Sequence, residues 1–518
     1  MSGRDAPAAD RRAVVPARRA LLGAAAGVLA ALVTVGVGAF VAVATGPSTD
    51  PLAAVGAAFV DATPAWLKEW ATATFGTADK AALALGELLV LAALAAVAGI
   101  LAARRWWWGA VVVAALGAAA AAAALGRPGA SPAAALPAVL GTLAGLLALR
   151  ALVSRLPAAF DEAGPDRRAF LRAGALTGAL GLVALALGRS MGTSAQIAQA
   201  ARADVRLPAP ARTAPPVPPG VQVEADGVSR WATPPEDFYR IDTALVLPQV
   251  DPAGWQLRVH GLVEQEATFT WDELLASPLV EAWVTLCCVS NPVGGDLVGN
   301  QRWLGLPVRD LLARARPTAG ADMVLSTSAN GWTASTPLQA LTDDRDALLA
   351  VAMDGEPLPV EHGFPVRLVV PGLYGYVSAT KWVVDLEVTR FADATAYWTD
   401  RGWAERGPVK TQSRIDVPRQ DALVPAGTVT VAGVAWAQHR GITGVQVRVD
   451  DGPWHDATLA DEAGIDSWRQ WSWAWPAQQG AHVLRVRASD PSGPQTGAVQ
   501  DVLPDGATGY HEVRVTVT

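Results

Sequence analysis

Cysteine is almost absent from this chain, and its scarcity excludes several kinds of site. Only two of the 518 residues are cysteines, and these two, Cys287 and Cys288, are adjacent. A four-thiolate zinc or iron–sulfur site within the chain is therefore excluded. The sequence also lacks a CxxCH motif, which excludes covalent attachment of a c-type haem. Adjacent cysteines are poor disulfide partners, because the ring that closes over one peptide unit is strained. Two readings remain, a pair of buried small side chains or a single reactive or metal-binding thiolate.

Histidine is missing from the first half of the chain, and aspartate, glutamate and lysine are scarce in its first 200 residues outside short connecting loops. All six histidines lie at or after His260, so a haem held between membrane helices by paired imidazoles is excluded. A helix needs about 20 apolar residues to cross a bilayer. Five stretches are long enough, and they lie at 19–45, 81–103, 106–126, 132–153 and 172–190. The sequence therefore predicts an N-terminal all-α membrane bundle, an anchor over residues 1–200.

Arginine placement orients this anchor. Arginines cluster before the first stretch, between the second and third, and around the connection from the fourth to the fifth, whereas the alternate loops carry few basic residues. Because positive loops stay on the cytoplasmic side, we expect a multi-pass cell-membrane protein with a cytoplasmic N-terminus and an extracytoplasmic C-terminal part. The segment "DRRAFLRAGALTGALGLVALALG" (166–188) also resembles a twin-arginine export motif. Ordinary flanking charge explains it equally well.

The remaining sequence changes character twice. Residues 201–230 are rich in proline and predict an extended spacer without packed structure. Residues 231–405 mix short alternating strands with short helices, which predicts an α+β domain without a βαβ nucleotide fingerprint. Residues 406–518 show regular short strands separated by turn residues, typical of an immunoglobulin-like β-sandwich with tryptophans in its core. The net charge of −7 and the lack of a basic stripe argue against nucleic-acid binding.

Two sequence stretches in the α+β region carry a family resemblance. They are "VTLCCVSNPVGGDLVGNQRWLGLPVRDLL" (284–312) and "VEHGFPVRLVVPGLYGYVSATKW" (360–382). In order and spacing they resemble the catalytic domain of the sulfite oxidase family of molybdenum enzymes. The end of the chain, "PDGATGYHEVRVTV" (504–517), resembles that family's dimerisation domain. The resemblance covers about residues 231–518 and implies a homodimer formed through the C-terminal domain.

This resemblance implies a cofactor and a metal ligand. The cofactor is molybdenum with a single pyranopterin, the molybdopterin, and no haem or iron–sulfur cluster is expected. The family motif Thr-Leu-x-Cys-x-x-Asn places Cys288 as the metal ligand and Cys287 as a buried bystander. A soft thiolate suits a metal that changes oxidation state. The small residues of "VSNPVGG" (289–295) are expected to let the backbone approach the cofactor closely.

The same resemblance assigns the other site residues. His362, Arg367 and Lys381 would bind the anionic cofactor, and Lys381 is the only lysine between residues 81 and 409. The remaining assignments are the backbone amides of Ala379 and Thr380, the entry segment "EDFYRIDT" with Phe238, Tyr239 and Arg240, and Arg302 of "GNQRWLG" as a catalytic residue. A packing role for Arg302 is equally open.

Departures from the family bear on the substrate. Sulfite oxidases carry two arginines after the motif asparagine, where this chain has Pro292 and Val293. They also carry a tyrosine near the metal, in a segment that resembles "SANGWTASTP", where this chain has Trp332 and Thr333. A pocket with apolar side chains in place of cations should hold a small dianion less well.

We therefore predict a membrane-anchored, extracytoplasmic molybdopterin oxidoreductase that moves an oxygen atom to or from a small-molecule substrate. Two alternatives remain. One is a reductase of S- or N-oxides, such as methionine sulfoxide, with the same cofactor. The other is a non-enzymatic anchored binding protein with an empty site. Because the chain offers no second redox centre, we also expect a separate electron carrier, a cytochrome or a quinone-linked partner.

Overall fold

The computed structural model of this protein describes residues 8–518 apart from 65–66, 68–69, 71–73, 76–78, 128–129, 157–164, 191–192 and 245. The chain divides into two compact units. The first comprises residues 1–197 with 244–249, and the second comprises residues 198–243 with 250–518.

The N-terminal part of the chain is helical. Its helices are α1 (Ala8–Thr45), α2 (Pro51–Ala62), α3 (Asp79–Arg104), α4 (Trp106–Leu125), α5 (Leu136–Val153), α6 (Pro165–Ser190) and α7 (Thr193–Asp204). Among the described residues, five segments are long and apolar enough to cross a membrane, and they are Arg18–Thr45, Ala82–Arg104, Trp106–Leu125, Pro132–Val153 and Arg168–Ser190. The prediction of five long apolar helices is confirmed.

Small residues bring these helices together. Helix α1 contacts α3, α5 and α6. A Cβ atom added at Gly27 would lie 1.9 Å from the carbonyl oxygen of Ala95, and one added at Gly99 would lie 1.9 Å from that of Gly23. Close approach of helix backbones at small residues is the usual way for apolar helices to associate where water provides no hydrophobic drive. Helices α1 and α3 therefore touch backbone to backbone.

In its described residues, the α+β region contains two sheets and four short α-helices. Its helices are α8 (Trp271–Leu275), α9 (Val308–Ala315), α10 (Leu338–Thr342) and α11 (Gly375–Ser378). Its strands are β1 (Gln256–Gly261), β2 (Ala267–Thr270), β3 (Val280–Cys287), β4 (Val298–Pro307), β5 (Met323–Ser328), β6 (Thr333–Pro337), β7 (Leu348–Met353), β8 (Glu356–Pro357), β9 (Arg367–Val369) and β10 (Val383–Thr389). The predicted mixture of short strands and helices is confirmed.

The two sheets of this region differ in their strand pairing. One has the order β2-β1-β10-β5-β6, in which β1 and β10 run parallel and the other pairs are antiparallel. The other has the order β3-β4-β7-β8, with β9 paired to β7. All six residues of β7 are buried, so this strand is covered on both faces. Strand β3 leads directly into the cysteine pair, and β9 begins at Arg367.

The C-terminal region consists of two β-sheets that share a core. Its strands are β11 (Gln412–Val417), β12 (Ala422–Val424), β13 (Gly427–Trp436), β14 (Gly444–Val449), β15 (Trp454–Asp456), β16 (Thr458–Leu459), β17 (Arg469–Ala477), β18 (Gly480–Asp490), β19 (Gly493–Pro494) and β20 (His511–Val517). One sheet has the order β11-β13-β17-β16, and the other has the order β12-β20-β18-β14-β15 with β19 on β18. Trp471 of the first sheet packs in one apolar cluster with Val447, Leu484 and Val515 of the second. The prediction of a β-rich C-terminal region is confirmed.

The proline-rich segment differs from its prediction. It has no strand of its own, but Val221 is 5% exposed and belongs to the main core of the second unit. The backbone N–H of Val223 donates to Gln470 Oε1 at 2.6 Å, and that of Ser229 donates to Asp416 Oδ2 at 3.0 Å. The expectation of a spacer without packed structure is therefore wrong. The sandwich side chains Gln470 and Asp416 accept hydrogen bonds from backbone N–H groups of this segment, which has no strand partner of its own.

Candidate active site

The two adjacent cysteines lie in different environments. Cys287 is the last residue of β3, is 2% exposed and packs in the main apolar core. Its Sγ lies 3.4 Å from the carbonyl oxygen of Cys288. Cys288 follows the end of the strand, and its side chain lines a cavity. Neighbouring residues of a strand point to opposite sides, which explains why one thiol is in the core and the other in the cavity.

That cavity has a volume of about 140 Å³ and brings together most of the predicted site. Seven of the predicted site residues line it: Phe238, Tyr239, Cys288, His362, Arg367, Ala379 and Lys381. They come from segments that are far apart in the sequence, so the fold itself assembles the group.

Two buried cations, Arg367 and Lys381, line the cavity together with His362 and Asp242. We call these four residues the cationic wall. An isolated antiparallel bridge pairs the backbones of Arg367 and Lys381. Arg367 Nη1 donates to the carbonyl oxygen of His362 at 3.2 Å. Lys381 Nζ donates to Asp242 Oδ2 at 2.9 Å and to the carbonyl oxygen of Glu361 at 3.1 Å.

Tight backbone geometry holds this wall in place. Gly363 has a left-handed φ of +112°, and a Cβ there would lie 3.0 Å from the Cβ of Arg367. Trp382 also has a positive φ, +52°, which is strained for a bulky residue. Its indole N–H donates to the carbonyl oxygen of Val360 at 3.0 Å, and Lys381 Nζ lies 4.8 Å from the centre of its ring. These contacts fix the ammonium group at the cavity.

Electrostatically, the cationic wall favours an anion. Burial lowers the pKa of Lys381 to about 8 and that of Arg367 to about 10. The pKa of His362 falls to about 3, chiefly through burial and then through the charges of Arg367 and Lys381. Asp242, with its side chain 5% exposed, is the carboxylate that partners Lys381. Desolvated cations of this kind fit a phosphate-bearing group, which would restore the favourable interactions that burial removes.

Aromatic side chains also line the cavity, and we call four of them the aromatic wall (Trp332, Tyr376, Trp398 and Trp403). The ring centres of Tyr376 and Trp403 are 5.8 Å apart, and those of Trp398 and Trp403 are 6.3 Å apart. The backbone N–H of Tyr397 donates to Thr333 Oγ1 at 3.0 Å, which ties this segment to the turn that carries Trp332.

Three predicted site residues lie outside the cavity lining. Arg302 Nη1 faces Glu281 at 3.7 Å, so the geometry supports packing and gives no support to the catalytic role predicted for it. Arg240 Nε donates to Asp242 Oδ2 at 3.1 Å, so Arg240 contacts a residue of the cavity lining without lining the cavity itself. Thr380 is fully buried, with its Oγ1 2.7 Å from Ser326 Oγ.

The two glycines that follow the cysteines, Gly294 and Gly295, contact the C-terminal sandwich. Gly294 has a φ of +78°, and a Cβ there would lie 2.1 Å from the His511 ring of β20. The carbonyl oxygen of Gly295 accepts from Arg414 Nη1 at 2.8 Å. Gly294 and Gly295 pack against the C-terminal sandwich and lie outside the cavity lining, so the structure does not support for them the close approach expected of segment 289–295. Of the same segment, Val289 and Ser290 do line the cavity.

The other motif residues also have structural partners. Thr285 Oγ1 donates to Asn300 Oδ1 at 2.9 Å and accepts from the backbone N–H of Trp468 at 2.7 Å. Gln438 Nε2 donates to the carbonyl oxygen of Thr285 at 3.0 Å. Asn291 Oδ1 accepts from the backbone N–H of Leu297 at 2.9 Å and closes the turn after Cys288. The sandwich and the turn thus position the strand that delivers Cys288.

Sequence reasoning missed Asp242 and the aromatic residues at 376, 398 and 403. Asp242 lies 139 residues from its partner Lys381, in a segment without regular structure. The aromatic residues come from separate segments whose meeting depends on tertiary structure. The available signal was the unusual density of tryptophan and tyrosine between residues 374 and 403.

Comparisons with known proteins agree with this geometry. A family model described as an oxidoreductase molybdopterin binding domain matches residues 244–398. Mitochondrial sulfite oxidase of Mus musculus is 30% identical over 310 residues, which cover 50% of this chain and 56% of that protein. The uncharacterized oxidoreductase YuiH of Bacillus subtilis is 33% identical over 157 residues, which cover 30% of this chain and 76% of that protein.

Among solved structures, the sulfane dehydrogenase SoxCD of Paracoccus pantotrophus is similar with a TM-score of 0.49 at 23% identity, over 57% of this chain and 82% of that chain. The chain spans about half the length of the curated sulfite oxidases that it matches.

Proposed function

Because the chain belongs to the family of molybdopterin-binding oxidoreductases that includes the sulfite oxidases, we propose that it transfers oxygen atoms at a molybdenum centre ligated by Cys288. One observation carries this proposal: Cys288 shares a single cavity with His362, Arg367 and Lys381. A soft metal ligand and a cluster of buried cations are the two features that an anionic metal–pterin cofactor needs.

The cofactor, when bound, supplies a metal that changes oxidation state and exchanges an oxygen atom. The protein supplies the binding groups. Burial raises the pKa of the Cys288 thiol, so the thiol is protonated in the metal-free protein and releases its proton when it binds the metal. In this proposal Arg367 and Lys381 bind phosphate oxygens, and Lys381 exchanges part of its interaction with Asp242 for the phosphate.

His362 contributes as a neutral group. Its Nε2 lies 3.2 Å from the carbonyl oxygen of Pro235, which can only accept, so Nε2 carries the proton. With its pKa lowered to about 3, the ring stays neutral across the working pH range. Its Nδ1 is then able to accept a hydrogen bond. Phe238, which meets the His362 ring edge-on at 5.7 Å, fixes the orientation of the imidazole.

We further propose that the five apolar helices cross the cell membrane, with the N-terminus in the cytoplasm and the catalytic region outside. The arginine distribution supports this orientation. The twin-arginine-like motif at 166–188 would suit export of a domain already folded around its cofactor. We propose a separate cytochrome or quinone-linked carrier as the electron partner, and a homodimer through an immunoglobulin-like C-terminal domain.

Molybdenum and pterin analysis of the purified full chain tests the proposed function. We expect one molybdenum and one pterin per chain, and no stoichiometric iron or haem absorption. Protein that folds in a molybdenum-sufficient host but contains neither metal nor pterin would favour the alternative of an anchored binding protein with an empty site.

A further inference from the structure

A buried carboxylate lies among the cations of the cavity. Asp242 lines the cavity, and its side chain is 5% exposed. One of its oxygens, Oδ2, accepts two charge-assisted hydrogen bonds, from Lys381 Nζ at 2.9 Å and from Arg240 Nε at 3.1 Å. A single carboxylate oxygen therefore bridges two cations, as a phosphate oxygen between basic side chains can do.

This carboxylate shares the cation that the proposed function assigns to the cofactor phosphate. An ammonium group has three N–H donors. Lys381 directs one of them to Asp242 and another to the carbonyl oxygen of Glu361 at 3.1 Å. Burial lowers the pKa of Lys381 to about 8, while the charge of Asp242 and its hydrogen bond act in the opposite direction. An anion that binds Lys381 therefore comes close to a second negative charge.

Other buried carboxylates pair with arginine away from the cavity. The Asp416 side chain, 7% exposed, pairs with Arg414 at 2.6 Å, and that of Asp490, 2% exposed, pairs with Arg440 at 2.7 Å. Neither carboxylate lines the cavity, so a ligand bound there does not meet them. Asp242 differs, because it lines the space that the cofactor phosphate is proposed to fill.

The backbone around Asp242 is less firmly held than that of the lining cations. Residues 241–243 all line the cavity and belong to no helix or strand. Ile241 is 49% exposed, so this segment reaches the surface. Arg367 and Lys381, by contrast, are joined by a backbone bridge, and Arg367 begins β9. Movement of the carboxylate therefore disturbs fewer backbone hydrogen bonds than movement of the cations.

We propose that Asp242 is a built-in counter-anion that limits how tightly the cavity binds the cofactor phosphate. Without the cofactor, its carboxylate balances the charges of Lys381 and Arg240. When a phosphate binds, Lys381 shifts part of its hydrogen bonding to the phosphate, and the charge of Asp242 opposes the new anion at short range. The proposal rests on the proposed function and adds to it a residue that sets the affinity for the cofactor.

The test measures binding of inorganic phosphate to the purified full chain in detergent, produced without cofactor in a host that makes no pterin. Calorimetric titration at about pH 6 keeps Lys381 charged. Asp242→Asn preserves the size of the side chain and an oxygen that accepts from Lys381, but it removes the negative charge. We expect its dissociation constant for phosphate to be about tenfold lower than that of the wild type, because like charges in a buried site repel. Loss of a purely structural side chain would not strengthen binding.

Two control variants accompany Asp242→Asn. Asp416→Asn neutralises a similarly buried carboxylate outside the cavity lining, and it should leave the phosphate affinity unchanged even where it lowers thermal stability. Lys381→Ala removes the shared donor and should weaken phosphate binding about tenfold or more. If cofactor-free Asp242→Asn does not fold, release of pterin from the cofactor-loaded chain on warming is measured instead. We then expect release from Asp242→Asn to be about tenfold slower than from the wild type.

The outcomes separate this inference from the proposed function. A wild-type chain that binds no phosphate, and that holds no pterin after production in a pterin-sufficient host, would remove the proposed function itself. Phosphate binding that is unchanged in Lys381→Ala would reveal an adventitious site and overturn the inference. In a chain that does hold pterin, the inference alone fails if Asp242→Asn binds phosphate no more tightly than the wild type, or if it releases pterin at the same rate or faster.

Discussion

The catalytic region and the C-terminal sandwich are both rich in buried strands and tryptophan, yet they differ in what else they bury. Besides its apolar cluster around Trp471 and Val515, the sandwich buries polar groups that have partners, such as Asp490, whose carboxylate pairs with Arg440 at 2.7 Å. The catalytic region instead buries a thiol and two cations around a cavity, with Cys288 9%, Arg367 6% and the Lys381 side chain 10% exposed. Burial of unbalanced charge is unfavourable for folding, so it marks the part of the molecule that binds a ligand.

The same comparison shows what the sandwich contributes to the site. Its residues contact the cysteine strand through Thr285 and the following turn through Gly294, and neither of these lines the cavity. The sandwich therefore positions Cys288 without touching the predicted cofactor. Substitutions in the cavity should change cofactor content and activity, whereas substitutions at the sandwich contact should change stability.

The largest expected effect is at the cysteine pair. We expect Cys288→Ser to abolish oxygen-atom transfer, because the substitution removes the soft ligand from the cavity. Cys287→Ser should retain most of the activity, since that thiol packs in the core, and it should lose some stability. Oxygen-atom-transfer activity per folded protein checks this. Loss in Cys287→Ser alone would place the ligand one residue earlier, and equal loss in both variants would contradict the assignment of the ligand to Cys288 alone.

A smaller effect is expected at the buried lysine. Lys381→Ala should reduce cofactor occupancy at limiting cofactor by about tenfold or more, because a charge-assisted hydrogen bond contributes about 1.5–3 kcal/mol. Lys410→Ala is the matched control: its Nζ pairs with Asp505 at 2.8 Å, outside the cavity lining. We expect that control to keep full occupancy, as measured by molybdenum and pterin content. Equal occupancy in both variants would show that Lys381 does not bind the cofactor and has only a structural role.

The sandwich contact can be tested by a glycine pair. Gly294→Ala should destabilise the protein by about 2–4 kcal/mol, since it adds a clash with the His511 ring to a positive φ. The His511 ring cannot easily move, because its Nδ1 accepts from the backbone N–H of Ile415 at 3.0 Å. Gly320→Ala, at a φ of +94° with open space around it, carries only the backbone strain. Chemical denaturation measures both, and equal losses would contradict the packing role.

The smallest expected effect is a pH dependence of cofactor uptake. The pKa of Lys381 is lowered from 10.5 to about 8, so the folded apoprotein loses this proton at a lower pH than the unfolded chain does. The free energy of unfolding of the apoprotein therefore rises with pH between about 8 and 10.5. Phosphate binding needs the charged form, so uptake should weaken as pH rises through about 8. Lys381→Arg stays charged and should flatten this profile in apoprotein titrations. A profile that is the same in both proteins would show that another group titrates.

Local pattern predicted much of the fold. The five apolar helices follow from runs of Ala, Leu and Val, and strands such as β1, β10 and β18 follow from alternation that survives in the structure. The motif also predicted the separation of Cys287 from Cys288, and the alternation of strand β3 explains it physically.

Long-range packing accounts for the predictions that failed. Gly294 meets a histidine more than two hundred residues away, and Val221 of the proline-rich segment joins a core formed by later strands. For Arg302 the motif left a site role and a packing role open, and its side chain faces Glu281 across the β3–β4 pair. A single sequence gives no signal for such pairings, because they depend on which surfaces meet after folding.

X-ray absorption at the molybdenum edge tests the central claim most directly, because it counts the sulfur atoms bound to the metal. Molybdenum-loaded wild-type protein, Cys287→Ser and Cys288→Ser should be compared after reconstitution under the same conditions. The account predicts that Cys288→Ser alone loses one sulfur ligand relative to the wild type. An unchanged sulfur count in Cys288→Ser, or the loss of a sulfur in Cys287→Ser, would contradict it.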